Sequence, residues 1–472
     1  MKRRLFVQKA GLLSGGILLG KSVSLASPQG FPLVRTAPAQ RKFTSPAIEQ
    51  AITEFKANVK NEELGWLFNN CFPNTLDTTV TFKTIGGRPD TYIITGDIDA
   101  MWLRDSSAQV WPYLSFIKQD KQLQQLIAGV INKQTGFILK DPYANAFYND
   151  PNKTGEWAHD VTKMQPGIHE RKWEIDSLCY PIRLAHRYWK LTGDNSPFDE
   201  QWKRGIALTL KTFKEQQRRD NDGPYAFQRK TSWATDGVAM NGYGYPVKPV
   251  GLICSMFRPS DDATVYSFLI PSNFFAVVSL KQAAEMVKQI SKDNALSNEL
   301  NALAAEVEQA LQKHAVIDHK EYGKIYAYEV NGFGSFNLMD DANVPSLISL
   351  PYLNAIPAND PVYLNTRKML LSSNNPFFFK GTAGEGIGGP HAGKDMIWPL
   401  GIIMRGLTSR DDKEIKYCLD TLKTTHANTG FMHEAFYKDD PKRFTRKWFA
   451  WANTLFGEFL WKTYKERPGL LE

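Results

Sequence analysis

A succession of helical patterns separated by long, glycine-rich loops constrains this chain more than any other feature. The clearest pattern holds Leu296, Leu300, Leu303, Val307, Ala310 and Leu311, whose spacing of three, four and seven draws one apolar stripe along a helix. Further helical patterns run over 175–189, 201–216, 274–292, 398–407, 413–426 and 449–464. Near the start, Ser45-Pro46 is a cap followed by a proline at the first helical position, and Ile48, Ile52 and Phe55 share a face. One β-type patch intervenes: alternation over 78–82, a Gly86-Gly87 turn, and Tyr92-Ile93-Ile94 returning. Paired helices with their chemistry gathered in the connections predict an all-α fold, an α/α toroid ringing a central pit, with small β elements in its loops. No second composition regime and no sequence repeat is visible, so one domain is expected over 43–472, after a linker over 27–42 rich in Ser, Pro, Gly and Ala.

The loops that matter run over 97–105, 233–262, 331–343, 381–398 and 430–437. They are too aromatic for disorder, and loops of this length in a compact domain carry function. With 12 Trp, 18 Tyr and 28 Phe the chain has flat apolar faces to spare. Most such rings are core packing, but a few suit the face of a sugar.

Charge excludes several partners. The net charge is +8, yet Lys2, Arg3, Arg4, Lys9 and Lys21 fall in a segment that reads as an export signal; without those five it is +3. No basic stripe with interleaved aromatics is present, so nucleic acid is not an expected partner. The signal itself, over 1–26, has paired arginines in Arg3-Arg4-Leu5-Phe6, an apolar stretch over 10–20 and small residues at Ser24-Leu25-Ala26. That is the twin-arginine form, which predicts a periplasmic or secreted protein with no stable membrane insertion after cleavage. Its apolar run is shorter than the roughly 20 residues that a spanning helix needs. Cys71, Cys179, Cys254 and Cys418 form no Cys-x-x-Cys pair and are expected mostly as buried thiols.

Several motifs come close to familiar chemistry and miss. Gly384-Glu385-Gly386-Ile387-Gly388-Gly389 fits a dinucleotide pattern but lacks the strand-helix context and the later acidic residue. The overlapping stretch from Gly388 to Lys394 is followed by Asp395 where a phosphate loop needs Ser or Thr. His433-Glu434 opens a zinc-peptidase motif, yet Tyr437 stands where the second histidine belongs. Asp97-x-Asp99 and Asp340-Asp341 lack calcium-loop spacing. Neither a catalytic metal nor any other cofactor is expected.

What remains is a set of carboxylates among Trp, Tyr, Asn, Gly and Pro: Asp105 after Trp102-Leu103-Arg104, Asp176 after Trp173-Glu174-Ile175, Asp261-Asp262 after Arg258-Pro259-Ser260, and Glu434 within Phe431-Met432-His433-Glu434-Ala435-Phe436. Each alone reads as readily as an exposed or salt-bridged acid. Together they supply the paired acceptors that sugar hydroxyls need.

These segments, with Gly96-Asp97-Ile98-Asp99-Ala100-Met101 leading into the first, Asp141-Pro142-Tyr143-Ala144-Asn145, Ser335-Phe336-Asn337-Leu338-Met339-Asp340-Asp341-Ala342-Asn343 and Gly388-Gly389-Pro390-His391, resemble glycoside hydrolase family 125, the metal-independent exo-acting α-1,6-mannosidases. The resemblance spans most of the chain after the leader. It implies an (α/α)6 barrel, an inverting mechanism and a mannose-containing oligosaccharide or glycan as partner. By motif position it also implies Asp261 as general acid and Glu434 as general base, with Arg104, Asp105, Asp340, Asp341 and His391 around the mannose hydroxyls and Trp398 as a stacking face. The neighbouring charge of Asp262 would raise the Asp261 pKa, as an acid requires, while Arg258 would lower it; burial decides. Inversion asks for carboxyls roughly 6.5 to 9.5 Å apart, with a water between base and sugar. Arg104 with Asp105 reads equally well as a structural ion pair, and Trp398 as core. Two other functions fit the same residues: an inverting α-glucosidase-type enzyme on the same barrel, and a periplasmic glycan-binding protein without turnover.

Overall fold

The computed structural model describes residues 30–472. The expected signal and the first residues of the expected linker lie outside the described residues.

Twelve helices of eight residues or more occur among the described residues: α1 (Pro46–Asn58), α2 (Glu62–Cys71), α3 (Leu103–Val110), α4 (Lys121–Lys140), α5 (Ile175–Thr192), α6 (Glu200–Gln216), α7 (Ile270–Met286), α8 (Asn294–His314), α9 (Pro361–Leu370), α10 (Pro399–Leu407), α11 (Asp412–Thr425) and α12 (Ala450–Glu466). Every helical pattern read from the sequence is present. Patterns missed are α2, α3, α4 and α9, of which α3 begins inside the segment 97–105 expected as loop. The β patch is the hairpin Val80–Ile85 with Arg88–Ile93, in register from Val80 opposite Ile93 to Ile85 opposite Arg88. The remaining strands form two- and three-stranded sheets in the connections, and none closes into a barrel.

Packing sorts the helices into two layers. Helix α3 lies against α5 and α12, α5 against α7, and α10 against α12, while α4 and α6 pack on each other outside, α8 backs α7 and α11 backs α10. This is the (α/α)6 arrangement. Burial follows the layers: all eight residues of α3 are buried, and α7 is buried nearly all round, whereas α8 buries one stripe through Leu300, Leu303, Ala304, Val307 and Leu311. Two of the polar residues that α3 carries inside are paired there: Gln134 of α4 donates to the hydroxyls of Ser106 and Ser107 at 2.9 and 2.8 Å.

The helix caps mark the same division. Ser45, Asn61, Asp120, Asp199, Asp293, Asp360 and Asp411 each accept a backbone N–H with their side chain at the start of α1, α2, α4, α6, α8, α9 and α11. The inner helices α3, α5, α7, α10 and α12 have no such side-chain cap. Their first turns, with the partial positive charge of the backbone there, face the loops that hold the acids. Between α8 and α9 the chain runs as turns that are buried over 344–350 and partly exposed over 351–356, tied to the inner ring where Tyr180 donates to the Val344 carbonyl at 2.9 Å and Tyr352 to Glu458 at 2.8 Å.

Residues 30–42, read above as part of a linker, lie on the outer layer. Phe31 stacks on Trp66 at 5.0 Å, Trp66 donates to the Pro32 carbonyl at 2.9 Å, and Arg35 pairs with Asp77 at 2.7 Å. All four cysteines are buried free thiols. No helix among the described residues is long and apolar enough to cross a membrane.

Candidate active site

The first turn of α3 delivers Arg104 and Asp105, and the first turn of α5 delivers Asp176, preceded by Glu174 at the cap position. Arg104, only 3% exposed in its side chain, donates Nη1 to Glu174 at 2.5 Å and to Asp176 at 3.1 Å, and Nη2 to Asp261 at 3.0 Å. Asp105 lies 3.5 Å from its Nε. One guanidinium thus faces four carboxyls from three segments of chain, and full ionisation of all four would leave a large uncompensated charge.

Their proton affinities reflect this crowding. Burial pushes Asp105 up to about 6 against the pull of Arg104, and Asp176 up to about 6 for the same reason. Burial also raises the Glu174 carboxyl well above the ordinary range despite Arg104, helped by the charges of Asp261 and Asp176. Asp261 goes the other way. Its burial would raise it, but Arg104, Lys172 and a hydrogen bond from Glu174 together hold its carboxyl well below the usual range.

The sequence weighed Asp262 against Arg258 as the influences on Asp261, and both point elsewhere. Arg258 donates to buried Glu329 at 2.7 Å, while Asp262 accepts from Thr235 at 2.8 Å and lies 3.4 Å from His391 Nδ1. The reason is local backbone. Asp261 has φ of 65°, the left-handed region, within a turn closed by Asp261 N–H to the Arg258 carbonyl at 2.9 Å and Arg258 N–H to the Asp262 carbonyl at 2.8 Å. Lys172 holds the turn from behind, donating Nζ to the Asp261 carbonyl at 2.7 Å and to Asp236 at 2.6 Å.

Glu434, its side chain 8% exposed, lies 3.5 Å from Arg446 Nη1, and the same guanidinium pairs with Asp97 through Nη2 at 2.6 Å. Asp105 links this pair to the first group, feeling the charges of Arg104, Asp261 and Arg446 together. Trp398, at the cap position of α10, is 2% exposed and meets His391 and Phe449 edge-on at 6.0 and 6.3 Å; its indole N–H is buried with no partner in the protein. Asp341 accepts from Ser260 at 2.7 Å, which ties it to the Asp261 turn. A methyl group on Gly389 would stand 3.2 Å from the Asp341 carboxylate, so glycine there lets the loop of His391 approach. Asp340 is engaged within its own loop, its two oxygens accepting the N–H groups of Leu347 and Ile348 at 2.8 and 3.0 Å, and burial pushes it up to about 8 against those bonds.

Lys172, Glu174, Asn145 and Arg446 belong to this cluster and were not singled out from the sequence. Glu174 and Asn145 stand inside quoted motifs, where only the neighbouring carboxylates drew notice. Arg446 has no motif at all and is recognisable only by its contacts. The glycine-rich segment that imitates nucleotide loops is a strand, Glu385–Ile387, paired antiparallel with Phe378–Lys380, and no helix follows it until α10. Among the described residues, no cluster of His, Cys, Asp and Glu has the arrangement of a metal site.

Acids, an amide and aromatics thus gather where the first turns of inner helices meet the loops, a donor and acceptor set suited to sugar hydroxyls. A glucoamylase from Saccharomycopsis fibuligera is similar in fold alone, with a TM-score of 0.51, 11% identity and coverage of 91% of this chain and 99% of that one. The match to the metal-independent α-mannosidases is far closer, and over residues 61–461 the chain fits the model of that family; the protein belongs to glycoside hydrolase family 125. A Streptococcus pneumoniae metal-independent α-mannosidase, solved in a non-productive complex with α-1,6-mannobiose, superposes with a TM-score of 0.87 at 39% identity, covering 90% of this chain and all of that one (100%). The meiotically up-regulated gene 157 protein of Schizosaccharomyces pombe is 40% identical over 463 residues, covering 94% of this chain and 91% of its own length.

Proposed function

We propose that this member of the family is an exo-acting, inverting α-mannosidase that releases terminal mannose from α-1,6-linked mannosides, with Asp261 as general acid and Glu434 as general base. One observation carries the reading: two largely enclosed carboxyls each lie beside an arginine of their own, Arg104 for Asp261 and Arg446 for Glu434, and Asp105 feels both arginines. The bacterial relative bound to α-1,6-mannobiose supports the linkage.

In this reading Asp261 gives its proton to the glycosidic oxygen as the bond to C1 breaks, and the leaving sugar departs as an alcohol. A water attacks C1 from the opposite face while Glu434 takes its proton, so mannose leaves with inverted configuration. Arg104, Asp105, Asp341 and His391 border the ring, Trp398 offers a wall, and Asp340 holds the loop of Asp341. The twin-arginine leader supports export to the periplasm or beyond, where a mannose-containing glycan would be met.

The test is hydrolysis of α-1,6-mannobiose by purified protein with excess chelator, alongside α-1,2, α-1,3 and glucose-based controls, with anomers followed by proton NMR. β-Mannose appearing first, lost in Asp261→Ala and Glu434→Ala, supports the reading. α-Mannose appearing first refutes inversion, and cleavage of glucosides alone refutes the substrate.

A further inference from the structure

An acid catalyst must carry a proton, yet Asp261 sits against Arg104 at 3.0 Å with Lys172 bound to its own carbonyl, an environment that favours the carboxylate. Glu174 occupies the other end of the same guanidinium. The Asn145 amide donates to both carboxyls, at 3.4 Å to Glu174 and 3.3 Å to Asp261, just as the Arg104 guanidinium does from its two ends. Two carboxyls gathered on one amide and one guanidinium repel each other when both are ionised, and one proton between them relieves that repulsion. From this geometry we propose that Glu174 is a positioning residue that shares a single proton with Asp261, so that a carboxyl held by two cations can still serve as the acid. The inference rests on the reading of Asp261 as the acid.

The pair carries one negative charge in either of two forms. In the stored form Glu174 holds the proton and donates to the Asp261 carboxylate; in the reactive form Asp261 holds it and Glu174 is ionised against Arg104 and the Ser177 hydroxyl, which donates at 2.8 Å. The forms interconvert without change of net charge, so Arg104 does not oppose the exchange. During turnover Asp261 passes the proton to the leaving oxygen and both carboxyls are briefly ionised. The pair then takes one proton back from solvent while Glu434 releases the one it took from water. The other charged groups facing the pair are Asp105 and Asp176 from the first turns of α3 and α5, Lys172 and Glu170 from the segment before α5, and His391 from its loop. Asp176 is the competing store, since it shares Arg104; the Asn145 amide, which bridges Glu174 and Asp261, favours Glu174.

The experiment compares α-1,6-mannobiose with 2,4-dinitrophenyl α-mannoside, whose leaving group needs no proton, across pH. In the wild-type protein the alkaline limb of kcat/KM for mannobiose should lie above about pH 6 and be absent for the aryl mannoside. Glu174→Gln should lower kcat/KM for mannobiose by about 10²-fold or more and shift that limb to lower pH, with less than about a tenfold loss on the aryl mannoside. Glu174→Asp should recover part of the limb. Equal losses on both substrates with an unmoved profile overturn the proposal, as does a limb moved by Asp176→Asn but not by Glu174→Gln. If Glu174→Gln does not fold, the wild-type profile decides, because an alkaline limb near about pH 4 is that of an ordinary carboxylate and refutes proton sharing. A wild-type protein that cleaves neither substrate overturns the glycosidase reading itself.

Discussion

Lys172→Met tests whether the buried charge network behind the pit sets the geometry of the acid. Lys172 is fully buried, and its ammonium donates to Asp236 at 2.6 Å and to the Asp261 carbonyl at 2.7 Å, with Glu170 3.4 Å away. Methionine fills nearly the same length without charge. Asp236 would keep Arg229, whose Nη1 reaches both its oxygens at 3.2 Å, so the loss should fall at the low end for a broken buried pair, ~3 kcal/mol. The Asp261 turn would also lose its hold from behind. A left-handed aspartate costs roughly 1–2 kcal/mol, so the turn is free to relax once that bond is gone. Displacing the acid by about 1 Å should lower kcat/KM for mannobiose by roughly 10²-fold and cost the activated aryl mannoside, which needs no proton, far less. Urea unfolding and steady-state kinetics measure the two effects. A variant within about 1 kcal/mol of wild type in stability, or one that loses both substrates equally, would refute the argument.

Other substitutions probe separate parts of the structure. Arg258→Met should destabilise by about 3–5 kcal/mol because it strands buried Glu329, and adding Glu329→Gln should recover part of the loss in denaturant titrations. Gly388→Ala would put a methyl group 2.1 Å from the Met396 carbonyl, so that loop must shift and soluble yield or unfolding midpoint should fall. Burial pushes Glu458 up to about 7 beside Tyr352; its folded pKa is raised, so its contribution is complete below about pH 4 and is lost as pH rises through 7. Glu458→Gln should therefore flatten the fall in wild-type stability over that window, by at most about 3 kcal/mol, in unfolding curves taken at several pH values.

The helical toroid was legible because core-facing helices announce themselves through spacing: the stripe in α8 is visible in six apolar residues, and the structure buries all of them but Leu296, which is half-buried in the first turn. Helix α3 was not legible for a physical reason. Five of the eight residues in Leu103-Arg104-Asp105-Ser106-Ser107-Ala108-Gln109-Val110 are polar, yet all eight are buried, so a segment that reads as a short polar loop is a core helix. Helix α4 hid differently: its polar positions include Gln134, buried to serve Ser106 and Ser107 of α3, and that pairing exists only once the two helices meet.

The site shows the same limit at the scale of one turn. Sequence places Arg258, Asp261 and Asp262 within five residues and invites the inference that they set one another's charge. A left-handed residue at Asp261 breaks that inference, because it sends the three side chains to three different partners: Arg258 to Glu329, Asp262 to Thr235, and Asp261 across the pit to an arginine 157 positions earlier in the chain. Proton affinity depends on what lies within a few ångströms, and at this turn chain proximity and spatial proximity diverge. The residues that govern Asp261 are therefore Arg104, Lys172 and Glu174, each drawn from the first turn of an inner helix or the segment just before it. Because those inner helices lack side-chain caps, their first turns are open to the acids, and the barrel itself assembles four carboxyls around one guanidinium that no stretch of sequence contains.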